Sequence, residues 1–111
     1  MPRGAYGLTL AALLAWVGAV AACAPRPQAV HHRVAIRGMT FEPHTLRVAQ
    51  GDTVTWVNQD IVPHTVTGAG DRWDSGEVAP AGRFTWVVGT DGTVGYECRY
   101  HPMMTAELVV E

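Results

Sequence analysis

The 111-residue sequence contains no lysine: all eight of its basic side chains are arginines, set against ten acids for a formal net charge of -2 with neutral histidines. Only 16% of residues are charged and the two signs are interspersed, so nothing in the charge pattern calls for nucleic acid. Two cysteines, Cys23 and Cys98, are the whole supply. They lack the paired spacings of a structural zinc site and fall far short of a disulfide framework. Long apolar runs are also missing. The one extended apolar stretch, Leu8 to Ala22, has 15 residues, whereas a bilayer-spanning helix takes about 20. No segment shows a convincing helical periodicity, and helix is therefore absent from the expected architecture.

What the N-terminus does have is an export pattern. In "MPRGAYGLTLAALLAWVGAVAACAP" an arginine precedes the apolar stretch, which ends in small residues, as secretory signals do. "VAAC", Val20 to Cys23, resembles the lipobox of bacterial lipoproteins. That resemblance implies a cleaved signal over 1–22, lipid on Cys23, and a membrane-anchored protein in the periplasm or another extracytoplasmic space. The alternative is a cut after Ala19-Val20-Ala21 that leaves Cys23 a spare thiol. With one cysteine at the processing site and the other in a motif discussed below, no disulfide is expected. "APRPQAVHH" carries two prolines and no apolar period, so 23–32 is expected to be a tether with His31 and His32 exposed. Residues 33–111 are then the single folded domain, long enough for a two-layer core.

From Arg33 onward apolar residues recur with period two, broken by turn residues every eight to twelve positions. This predicts an all-β, antiparallel Greek-key sandwich of about eight strands. Strands are expected at 33–37, 45–48, 53–58, 64–67, 73–78, 83–88, 93–98 and 105–110, separated by "AQGD", "APAG" and "GTDG". Alternation puts Val54 with Trp56, Phe84 with Trp86 and Val88, and Val94 with Tyr96 and Cys98 on shared faces. The Cys98 thiol should therefore point inward at a strand end.

A lone buried cysteine is usually just a small hydrophobe. Here "YECRYHPMM" places His101 three residues after Cys98 and Met104 three residues further on. A tight loop can turn both back toward the sulfur. A thiolate, imidazoles and a distant thioether select copper in a trigonal site, provided a second histidine joins. His64, in "NQDIVPHTVTG", is the candidate, because sandwich loops from separate parts of the chain gather at the sheet ends. Met103 rivals Met104 for the thioether role on spacing alone.

From Phe41 to Val110 the chain resembles the cupredoxins, the small blue copper proteins of the plastocyanin, amicyanin and pseudoazurin group. The likeness rests on "FEPHTLRVAQGDTVTWVNQDIVPHTV", "DSGEVAPAGRFTWVV" and "GYECRYHPMM", and the short Cys-x2-His-x2-Met loop is most similar to the amicyanin type. It implies His64, Cys98 and His101 as equatorial copper ligands and Met104 as the weak axial one, with Met103 at the rim of an apolar docking patch. It implies a monomeric one-electron carrier rather than an enzyme, meeting redox partner proteins through the edge of His101 near Pro63, Pro102 and Met103. Copper storage or delivery is the alternative role. Two departures stand out: Thr65 occupies a position where plastocyanins and azurins carry Asn, and "TA" follows Met104 where Gly is common. His44 has no ligand counterpart, Arg99 is expected to face outward, and Asn58 is expected to hold backbone near the ligand loops.

Overall fold

The computed structural model describes residues 2, 4, 7, 11–18, 28–89 and 92–111. The lipidation expectation at Cys23, and half of the signal and tether segments, lie outside the described residues. Among those described, no helix is long and apolar enough to cross a membrane.

Eight strands run in chain order: β1 (His31–Arg37), β2 (Thr40–Glu42), β3 (Thr45–Val48), β4 (Thr53–Asn58), β5 (Thr67–Gly68), β6 (Arg83–Val87), β7 (Gly92–Cys98) and β8 (His101–Val110). They form two four-stranded sheets, β2-β1-β4-β6 and β3-β8-β7-β5, the sandwich that the period-two pattern predicts. Its sheets are mixed, because β1 runs parallel to β4 and β3 parallel to β8. The reason is the crossover: after the β1–β2 hairpin the chain visits the other sheet as β3, then returns on the far side of β1.

Inward-facing side chains from both sheets meet in one core containing Val34, Ile36, Phe41, Val54, Trp56, Val94, Tyr96 and Leu108. Trp56, fully buried, meets Tyr96 edge-on at 5.4 Å between ring centroids and stacks on Phe84 at 5.8 Å. Aromatic pairs in these arrangements contribute about 0.5–1.5 kcal/mol beyond burial itself. The parity assigned to Val54, Trp56, Val94, Tyr96 and Cys98 is the observed one, all five being buried.

Three local differences have physical causes. The short β2 arises because Gly38 and Met39 both take φ 61, as a type I′ hairpin turn requires; glycine does so freely and methionine does not. The expected strands 64–67 and 73–78 reduce to β5 and two isolated bridges, His64 with Val78 and Thr67 with Asp74. Their ladder is interrupted by Ser75, whose hydroxyl takes the Val66 N–H, and by Gly76 at φ 64. Finally, β1 begins at His31 rather than Arg33. His31 and His32 are not free tether residues: the His31 ring bonds the Thr55 hydroxyl and the His32 ring bonds the Asp52 carboxylate, each at 2.8 Å.

Asp52 anchors this end of the domain. Its carboxylate accepts the N–H groups of Val30 and Ala49 as well as the His32 ring. These hydrogen bonds, led by the Val30 and Ala49 N–H groups, lower its pKa from 3.8 to about 2. A carboxyl held down in the folded state stabilises above its unfolded pKa, and that contribution disappears as pH falls through the folded value. Urea midpoints recorded against pH should fall between about pH 4 and about pH 2 in the wild type, with that part of the slope diminished in Asp52→Asn. Superimposable acid limbs would remove Asp52 as the cause.

Candidate metal centre

Cys98 ends β7 and is fully buried. The register between β7 and β8 jumps from Glu97 opposite Thr105 to Cys98 opposite His101. Pro102, Met103 and Met104 therefore have no opposite residue on β7. Strict alternation would put His101 and Met104 on opposite faces of β8. The irregularity lets His101, directly across from Cys98, and Met104, buried with 4% exposed, belong to one end of the sandwich. Met103 is 96% exposed, which takes it out of any buried ligand set.

His64 reaches the same place from the other side of the molecule. Its N–H and C=O both pair with Val78, at 3.1 and 2.7 Å, fixing the segment after Pro63, and its side chain is fully buried. The Cys98 sulfur lies 3.7 Å from His64 Nδ1 and 3.6 Å from His101 Nδ1. One donor atom from each of the three residues falls within 4.8 Å of the others. An ion bonded at about 2.0–2.1 Å to nitrogen and about 2.3 Å to sulfur in a trigonal plane would set sulfur and nitrogen about 3.8 Å apart. The observed separations fit such an ion without rearrangement, and the mixed sulfur–imidazole donors suit copper.

Surrounding groups hold these donors in place. Asp60 Oδ2 lies 2.8 Å from His64 Nε2, so Nε2 carries the proton and Nδ1 turns its lone pair toward Cys98. The same carboxylate accepts the N–H groups of Gly38 and Met39. Burial pushes the Asp60 carboxyl up, but the hydrogen bonds from Met39, His64 and Gly38 outweigh it and keep the group below its usual range. Asn58, also fully buried, donates to the carbonyls of Val62 and Val78 and accepts the Asp60 N–H. It thus clamps both sides of the His64 segment, the part expected of it.

The departure at Thr65 has a structural answer. The Thr65 N–H points at Cys98 Sγ, 3.3 Å away, and the Thr65 hydroxyl accepts the Arg99 N–H at 2.8 Å. A hydroxyl therefore ties the two loops together at the position under question. Arg99 does face outward, but its guanidinium pairs with Asp71 and Asp74 and is not a free charge. His44 is exposed and stands apart from the Cys98 donor set, its ring bonding the neighbouring Thr45 hydroxyl. Asp60 is the one functional residue that sequence reading overlooked. Its signal was the spacing "DIVPH", a carboxylate four residues before His64.

Comparison with known proteins agrees with this geometry. The profile of copper binding proteins, plastocyanin/azurin family, matches residues 28–111. Amicyanin of Paracoccus denitrificans is 35% identical over 83 residues, covering 70% of this chain and 63% of that protein. The chain thus spans less than two thirds of that relative's length. Amicyanin-alpha of Methylorubrum extorquens is 34% identical, with 70% of each chain covered. Among solved structures, the Cu(I) form of a mutant amicyanin superposes with a TM-score of 0.68 at 30% identity, covering 73% of this chain and 82% of that one.

Removing the Thr65 hydroxyl should leave the part-buried Arg99 N–H without its acceptor. Thr65→Val is expected to destabilise the domain by about 1–3 kcal/mol, measured by chemical denaturation, while Thr65→Ser retains most of the stability. An unchanged Thr65→Val midpoint would mean that the loops are held by other contacts.

Proposed function

The chain belongs to the plastocyanin/azurin family of copper-binding proteins, and from that premise we propose that it is a type 1 blue copper protein carrying single electrons in the cell envelope. The observation that supports this most is the convergence of His64, Cys98 and His101 donors within 4.8 Å of one another in a buried pocket. Copper bound there supplies one-electron exchange between Cu(I) and Cu(II). His64 Nδ1, the Cys98 sulfur and His101 Nδ1 would hold it, with the Met104 thioether as the weaker fourth donor. Asp60, Asn58 and Thr65 keep those groups in one arrangement, so that little movement accompanies the change of oxidation state.

With its four ligand positions filled by side chains, the centre leaves no coordination site for a substrate, unlike catalytic metal sites. The chain is accordingly a carrier rather than an enzyme. His101 is half-buried and is the ligand that meets the surface. Ile61, Val62, Tyr100 and Met103 are exposed on the segments that carry His64 and His101. Such an apolar rim suits a brief encounter with a redox partner protein. Delivery of copper is less well supported, since a buried thiolate between two buried or half-buried imidazoles favours slow metal release.

The N-terminal segment completes the proposal. Residues 1–22 act as an export signal, cleavage precedes Cys23, and lipid on Cys23 followed by a tether through His32 holds the domain at an extracytoplasmic membrane surface. Because β1 starts at His31, the last two tether residues are bound to the domain. The domain works as a monomer.

Copper-loaded protein is expected to show an intense blue absorption with narrow copper hyperfine splitting, and Cys98→Ser to lose both. A pale, square-planar copper signal in the wild type would overturn the reading, as would transfer of the metal to a chelator within minutes. Independently, Cys23→Ser should move the protein from the membrane to the soluble fraction of producing cells. Persistence at the membrane would refute the lipid anchor without touching the copper site.

A further inference from the structure

Every methionine of the folded domain, namely Met39, Met103 and Met104, lines a single surface cavity of about 460 Å³. Phe41, Glu42 and His44 share its wall. Met104 is buried and belongs to the copper centre proposed above, whereas Met39 and Met103 are 41% and 96% exposed. Exposed methionine is an odd choice for both places. At Met39 it is costlier still, because the residue sits at φ 61, a left-handed conformation that disfavours side chains by about 1–2 kcal/mol. The conformation is enforced: Asp60 accepts the Met39 and Gly38 N–H groups with the carboxylate that also bonds His64. A non-glycine residue held in strain beside a functional centre invites a functional reading.

Thioether sulfur is a soft donor, and soft donors with imidazole select Cu(I) over divalent ions. We propose that Met39 and Met103, with His44, form a second site that binds one soft monovalent ion, Cu(I) or its surrogate Ag(I), at the mouth of the cavity whose wall includes Met104. The site is separate from the electron-carrying centre. It gives an incoming cuprous ion a capture point next to that centre's own thioether. Apolar docking alone does not require sulfur: leucine would serve a hydrophobic rim equally well and has nearly the same volume.

That difference supplies the test. Protein already holding one copper, reduced to Cu(I) and labelled with carbon-13 at its methionine methyls, is titrated with Ag(I). One equivalent should shift the Met39 and Met103 methyls while the copper content stays at one per chain. Met39→Leu/Met103→Leu should lose that equivalent and weaken Ag(I) binding by about tenfold or more, yet keep the blue band after reoxidation. His44→Ala should weaken binding with both methyl shifts retained. Silver that shifts only Met104 and expels copper, or binding equally tight in the double leucine variant, would overturn the site. Absence of the blue band in wild-type protein would instead count against the carrier reading, a separate outcome.

Discussion

A cysteine sulfur held 3.6 and 3.7 Å from two imidazole nitrogens is the contact around which this end of the sandwich is organised. Each nitrogen arrives by a different route. His101 comes across the two-residue turn that follows β7, and His64 comes from the connection between β4 and β5. Bringing them together requires two departures from regular strand pairing: the break in register between β7 and β8, and the reduction of the His64 segment to isolated bridges. Both are places where the backbone gives up ladder hydrogen bonds, and in both the lost partners are replaced. The Thr65 N–H finds the sulfur, the Arg99 N–H finds the Thr65 hydroxyl, and the Val66 N–H finds Ser75. Buried backbone donors are thereby satisfied while the ladder is interrupted.

The second layer of the centre is what makes it rigid. Asn58 is at the last position of β4, and its amide joins the carbonyls of Val62 and Val78. Asp60 joins the His64 ring to the β1–β2 turn. His64 is thus tied to one end of the first sheet, where β1 and β4 finish side by side, and Cys98 belongs to the second. A change of charge at a metal bound there would have to move several hydrogen-bonded groups at once, a reluctance that suits the proposed carrier role. Asp60 also links the centre to Met39, so the strained turn and the buried imidazole share one carboxylate.

Much of this was legible beforehand. Alternation along β4 and β7 pointed to the core faces, and the close spacing of Cys98, His101 and Met104 pointed to a metal, because few other needs gather a thiol, an imidazole and a thioether. The choice of Met104 over Met103 rested on likeness to a family; of the two, Met104 is the buried one. What escaped notice was non-local. Asp60 looked like a loop acid because its partners, the N–H groups of Gly38 and Met39, are over 20 residues away. His31 and His32 looked like linker because their partners, Thr55 and Asp52, lie on or beside β4. The expected strand at 73–78 failed because a hydroxyl and a left-handed glycine interrupt the ladder, and neither breaks a period-two pattern.

Residue types and spacing alone determined the class of fold, the chemistry of the donors and two of the four proposed ligands, Cys98 and His101, since these follow from local periodicity and from a motif of seven residues that leaves Met103 and Met104 both open. Tertiary structure alone decided that His64 meets that motif, that Asp60 orients its ring, and that two sheets run with parallel pairs at β1–β4 and β3–β8. The division has a simple origin: alternation and short loops are written in neighbouring residues, whereas a convergence of distant segments exists only once a crossover has closed the sandwich.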